Sequence, residues 1–289
     1  MDAALADRAA APDHQEWVGR REEAVDLVTS GPVMALAALL DYETTPWASG
    51  TLPPLAHWFY ALARTPQAQL DQDGHEKRGG FLPPIDLPRR MWAGGQLSFL
   101  HPVRFGTIFR RSSKIASVES KQGRSGPLVF VTVEHRYEDS KGLAIQERQD
   151  LVYRAAPGAA AAKTVTLHAP PSREADWERA VKPDPVMLFR YSALTYNAHR
   201  IHYDRDFCTQ HEGYPGLVVH GPLIATLLAD LYVRNNPAAR VIDFAYRAQL
   251  PLFDAAAFTL RGKATTDGAE LWALTPEGQV AMSAQLKAG

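Results

Sequence analysis

The feature that most restricts the fold of this chain is a scheme that occurs twice. VTSGPVMALAALLDY places Pro32-Val33-Met34 at the head of an apolar helical run, and VKPDPVMLFRYSALTYN places Pro185-Val186-Met187 in the same position. Each run is followed by a second buried helical pattern. In the first half Leu55, Trp58, Phe59 and Leu62 recur at i, i+3, i+4 and i+7, which predicts a helix over Pro54 to Arg64. In the second half the corresponding helix spans Pro222 to Arg234. The period then switches toward two. QLSFLHPVRFGTIF, SKIASVES, LVFVTVEHRY and LAIQERQDLVY read as strands, as do DFAYRAQLPLF, AAFTLRGKATT, ELWALTP and QVAMSAQLKA, with Gln122-Gly123, Ser140-Lys141-Gly142, Asp267-Gly268 and Glu277-Gly278 as turns. This is a tandem duplication of a helix-plus-antiparallel-sheet unit. The Ala/Pro-rich stretch Ala155 to Ser172 is the linker, so the expected organisation is residues 1–154, linker 155–172 and residues 173–289.

Composition excludes several classes. A length of 289 residues suits two domains, and 46% hydrophobic residues are enough for a substantial core. A net charge of -1 provides no basic field for a phosphate backbone, so nucleic acid is not an expected partner. Apolar runs such as Val33 to Leu40 are far shorter than the roughly 20 residues of a membrane span, so no membrane partner is expected. The single Cys208 cannot form an internal disulfide, and MDAALADRAAAPDHQEW does not read as a signal peptide, so a reducing cytoplasm is the expected location. Residues 1 to about 15 read as a loosely packed arm.

Chemistry concentrates in Arg190 to Leu228. Asn197, His199, Arg200, His202 and Asp204 fall within eight residues, and His220-Gly221-Pro222 opens an apolar helix. Proline suits a first helical turn, and glycine there leaves free amides able to meet a ligand oxygen. The equivalent segment of the first half, DYETTPWASGTLPP, contains no histidine, so the chemistry belongs to the second half. The Gly/Pro-rich stretch Asp71 to Arg90 is a candidate lid or binding segment by its length, with a solvated excursion as the bland alternative.

The order Tyr191-Ser192-Ala193-Leu194, Asn197, Ile201-His202, Asp204, Gly216 and His220-Gly221 resembles the MaoC-like (R)-specific hydratase/dehydratase family. LPPLAHWFYAL, GGFLPPIDLPRRMWAGG and SGPLVFVTVEH extend the likeness toward its double hot-dog members, which act on mesaconyl-, itaconyl- or 3-methylfumaryl-CoA. The resemblance implies an α+β double hot-dog fold, two antiparallel sheets each wrapped around a long helix. It also implies reversible hydration or dehydration of a short enoyl-CoA with a branched or dicarboxylic acyl group.

In that reading His202 is the acid/base, the Gly221 amide holds the developing oxyanion, and Asn197 positions water where the commoner pattern has an aspartate. Arg200 or Arg190 is expected to grip a substrate carboxylate, with Tyr191 and His220 also in the binding set. Arg89, Arg90 and Lys77 are candidates for CoA phosphates, against the alternative of a solvated face. No bound cofactor and no metal are expected: His199, His202, Asp204, His211 and His220 are ligand types, but their spacing matches no compact signature. A homodimer is compatible with the resemblance. The competing readings are a 3-hydroxyacyl-thioester dehydratase for longer chains, an acyl-CoA thioesterase and a non-catalytic acyl-CoA-binding protein.

Overall fold

The computed structural model describes residues 14–123, 126–155 and 174–289. Most of the N-terminal arm and, Ala155 apart, the linker expected at 155–172 lie outside the described residues. The first half contributes β1 (Arg21–Leu27), β2 (Arg89–Phe99), β3 (Ile108–Gly123), β4 (Gly126–Asp139) and β5 (Gly142–Arg154). The second contributes β6 (Trp177–Val181), β7 (Val241–Ala248), β8 (Phe258–Thr265), β9 (Gly268–Leu274) and β10 (Val280–Ala288).

These form one antiparallel sheet in the order β1-β3-β4-β5-β2-β7-β10-β9-β8-β6. Read inward from either edge, each half repeats the order first, third, fourth, fifth, second strand. The copies join through β2 and β7, with Leu97 opposite Phe244. This is the double hot dog that the family resemblance implied, built as the repeat that the duplication implied. The edge strand β1 is not legible as a strand in the sequence: REEAVDL is half-buried at best and runs directly into the helix that follows.

Both Pro-Val-Met segments start helices, α1 (Gly31–Leu39) and α2 (Pro185–Thr195), and Asp184 caps the second by accepting the Met187 N–H at 2.7 Å. The long helix α3 (Gly221–Asn235) is buried at every position from Leu223 to Val233, as expected of a helix apolar on all sides at the centre of a wrapped sheet.

The first half has no counterpart to α3, which corrects the helix expected over Pro54 to Arg64. Only a single 3-10 turn, Ala56–Phe59, forms there. Leu55 and Ala61 bracket it with φ of 67° and 50°, left-handed values that end any continuous helix. The turn is held by a buried carboxylate instead: Glu147 on β5 meets His57 Nε2 at 3.2 Å, and accepts from Trp58 Nε1 at 3.1 Å and Tyr137 Oη at 3.3 Å. Burial alone would raise the Glu147 pKa, but these bonds and the His57 and His135 imidazoles bring it below the ordinary value. The apolar pattern of LPPLAHWFYAL is therefore satisfied by burying Leu55, Ala56, Phe59, Tyr60 and Ala61 in a compact turn. Omitting the helix leaves the concave face of the first-half sheet free to line a cavity.

Candidate active site

A cavity of about 410 Å³ lies between the halves. The first half contributes Glu22, His75, Arg90, Trp92, Arg111 and His135 to its wall, and the second contributes Asn197, His199, His202 and Gly221. Three sequence-derived site residues, Asn197, His202 and Gly221, thus share one cavity.

The loop carrying the histidine begins where Tyr196 takes φ 51° and the Asn197 N–H returns to Ser192 O at 2.9 Å, ending α2. Asp204 then anchors the loop, accepting the Phe207 N–H at 3.0 Å and two bonds from Arg200. His202 sits between, 7% exposed, with Nδ1 2.7 Å from the Val218 carbonyl. A carbonyl oxygen only accepts, so Nδ1 carries the proton and Nε2 keeps its lone pair. Burial pushes the His202 pKa down to about 4, against the pull of the Val218 carbonyl and with help from the nearby His75. The ring is a neutral base across the physiological range.

Asn197 Oδ1 accepts the His199 N–H at 3.0 Å. Its oxygen is thereby engaged, and Nδ2, a pure donor, is the group left to hold the oxygen of a water. Gly221 is the first residue of α3, where N–H groups lack partners within the helix and the dipole favours negative charge. A Cβ there would stand 2.7 Å from Trp92 Cε3. Trp92, stacked on Tyr246 with centroids 4.1 Å apart, therefore requires glycine at this position.

The remaining expected binding residues are placed elsewhere. Arg200 does not face the cavity: it gives Nε and Nη2 to Asp204, Nη1 to Gln72 O at 3.0 Å, and lies over the Phe207 ring. Arg190 is exposed on α2, outside the cavity wall. Neither is positioned to grip a carboxylate beside His202, because the loop consumes one and the helix turns the other outward. Tyr191 is fully buried with its hydroxyl 3.4 Å from Thr226 Oγ1. His220 stacks beneath His202 at 3.6 Å with Nε2 2.8 Å from Ser192 Oγ, so it backs the His202 ring and does not line the cavity. Its pKa is driven well below the ordinary value by burial and then by His202 and His199.

The Asp71 to Arg90 segment supplies what the sequence left open. Gly74, at φ 89°, packs so tightly on the loop that carries His202 that a Cβ would stand 1.8 Å from Ala198 O. The Arg200 N–H donates to Asp73 O at 2.8 Å, and His75 Nδ1 lies 2.8 Å from Asp73 Oδ2. The His75 ring lies 3.9 Å from that of His199. No local pattern predicts a contact between residues 73–75 and 198–200; only the long Gly/Pro-rich loop hinted at it.

Among the described residues, Asp73, His75 and His199 are the one group of three or more whose ligand-type atoms all lie within 4.8 Å of one another. Of the metal-ligand types weighed from the sequence, His199 alone is in it. Burial chiefly lowers the basicity of both imidazoles, and the Arg90 guanidinium lowers it further, a positive field that also opposes a dication.

Comparison with known proteins shows the family and the fold. The family model for hydroxyacyl-thioester dehydratase type 2 matches residues 55–254. Mesaconyl-C(4)-CoA hydratase of Chloroflexus aurantiacus is 48% identical over 278 residues, 96% of this chain and 98% of the relative. The mitochondrial hydroxyacyl-thioester dehydratase type 2 of Schizosaccharomyces pombe is 30% identical over 70% of this chain and 75% of its own length. A MaoC-like dehydratase from Phytophthora capsici superposes with a TM-score of 0.69 at 13% identity, covering 94% of this chain and 95% of its own, a likeness of fold alone. No helix among the described residues is long and apolar enough to cross a membrane. The chain belongs to the hydroxyacyl-thioester dehydratase type 2 family and is a hydro-lyase with a double hot-dog fold.

Proposed function

We propose that this protein reversibly hydrates a short enoyl-CoA bearing a free carboxylate, of the mesaconyl type that its 48%-identical relative is named for. The observation that carries the reading is one cavity lined by both His202, whose Nδ1 is bound to Val218 O so that Nε2 stays unprotonated, and Gly221, the first residue of α3. Water held by Asn197 Nδ2 gives a proton to His202 Nε2 as its oxygen attacks the β-carbon. Charge moves onto the thioester oxygen, which accepts the Gly221 N–H at the positive end of α3. The imidazolium then returns its proton to the α-carbon, so water adds across the double bond with nothing left over.

One histidine performs both transfers in this scheme, and no bound cofactor or metal takes part. A lone buried cysteine suits a reducing cytoplasm, and a homodimer is compatible with the fold. The thioesterase alternative needs a carboxylate base on α3. Asp230 is that helix's only acid, and it is engaged by Tyr42, Arg179 and Arg234. Incubation with mesaconyl-C(4)-CoA separates the readings: loss of enoyl absorbance that His202→Gln abolishes supports hydration. Release of free thiol supports hydrolysis, and neither change supports a binding role.

A further inference from the structure

The cavity wall carries two arginines of the first half, and they differ in one respect. Arg111 on β3 donates Nη2 to Glu22 Oε1 at 2.9 Å. Arg90 on β2 lies opposite Tyr153 of β5 in the sheet register, and among the described residues no carboxylate is within ion-pair distance of it. A partly buried guanidinium without a counter-ion is costly, and the cost is relieved when a ligand brings an anion.

The position of Arg90 points to which anion. Arg90 and Trp92 both line the cavity from β2, about 7 Å apart along the strand. Trp92 covers Gly221, where the thioester oxygen is to be held. On its other side, the Arg90 charge depresses the basicity of His75 and His199, and the His199 ring lies 5.5 Å from that of His202. Arg90 thus lines the same cavity as His202 and stands on the strand whose Trp92 covers Gly221. In a mesaconyl thioester esterified at its fourth carbon, the free carboxylate is attached to the β-carbon, the atom that water attacks. Arg89, by contrast, is turned to Glu212 and the Tyr214 ring.

We propose that Arg90 receives the free carboxylate of the acyl group in a two-bond fork and thereby sets a preference for carboxylated over plain enoyl-CoA. This inference rests on the hydratase reading above. The other anion of the same chemistry is a phosphate of CoA, and substrates that share CoA but differ in the acyl carboxylate separate the two.

The test measures kcat/KM of the full chain for mesaconyl-C(4)-CoA and crotonyl-CoA, in wild type, Arg90→Met, Arg90→Lys and, as control, the exposed Arg190→Ala. Arg90→Met is expected to lower kcat/KM for the carboxylated substrate about 100-fold and for crotonyl-CoA less than about 3-fold, with partial recovery in Arg90→Lys and none of this in Arg190→Ala. Equal losses on both substrates would assign Arg90 to CoA or to packing and overturn the proposal, as would an unchanged preference. Calorimetric binding of succinyl-CoA against butyryl-CoA provides an arm independent of turnover. If wild type hydrates neither enoyl-CoA, the hydratase reading falls, and loss or retention of the succinyl preference in Arg90→Met still decides the role of Arg90. Circular dichroism and Tm verify that each variant folds.

Discussion

His202 Nδ1 is bound to the carbonyl of Val218, a residue 16 positions along the chain that leads directly into α3. The bond ties the His202 ring to the segment that leads into the helix beginning at Gly221. It also selects the tautomer with a free Nε2, the atom that the proposed mechanism uses as base. Replacing it with glutamine is expected to lower kcat about 100- to 10,000-fold with little change in KM, checked by steady-state kinetics on a variant of unaltered circular dichroism.

The pH dependence follows from the same burial. The reacting form is neutral His202, whose pKa is pushed down to about 4, so the acid limb of kcat/KM is expected near pH 4 and not near the ordinary histidine value. Unfolded chains bind the proton more readily, so stability is full above about pH 6.5 and is lost as pH falls toward 4. His199 and His220 shift in the same direction and add to the loss. A Tm series from pH 7.5 to pH 4.5 checks this, and a Tm that rises on acidification refutes it.

Asn197→Asp tests the departure from the commoner family pattern. The carboxylate can still accept the His199 N–H, so the loop is expected to keep its shape. Its negative charge favours the imidazolium, so the acid limb of kcat/KM should move above pH 4. Asn197→Ala removes both the loop bond and the water donor and is expected to lower kcat about 10- to 100-fold without moving that limb, read from paired pH profiles.

Gly221→Ala sets a methyl against the Trp92 ring. The expected cost is about 1–3 kcal/mol of stability, measured by urea unfolding, together with a fall in kcat as the amide is displaced. Coupling to Trp92→Leu should recover stability; a double variant no more stable than Gly221→Ala would show that the clash is not the cause.

Gly74→Ala addresses the docking of the two loops. A side chain must avoid Ala198 O and also accept φ 89°, so residues 71–76 are expected to withdraw from the catalytic loop. The expected results are a loss of about 10- to 100-fold in kcat/KM and faster amide exchange at Arg200, whose N–H donates to Asp73 O.

Periodicity and punctuation in the sequence determine the duplication, the strand runs, both Pro-Val-Met helix starts and the central helix of the second half, because each depends on spacing within a few residues. Asn197, His202 and Gly221 stand within 25 residues of sequence, on one loop and the helix start after it, and the family resemblance of that stretch is what singled them out. Tertiary structure decided the rest. Leu55, Trp58, Phe59 and Leu62 have helical spacing, yet buried Glu147, almost 90 residues away, draws His57 and Trp58 into a turn. Arg200 was spent on its own loop, whereas Arg90, which the sequence offered only as one of several candidates for CoA phosphates, came to face the cavity with no carboxylate at ion-pair distance among the described residues. Whether a charged side chain meets a partner or a ligand depends on the field and packing of groups distant in sequence, and spacing along the chain holds no record of those.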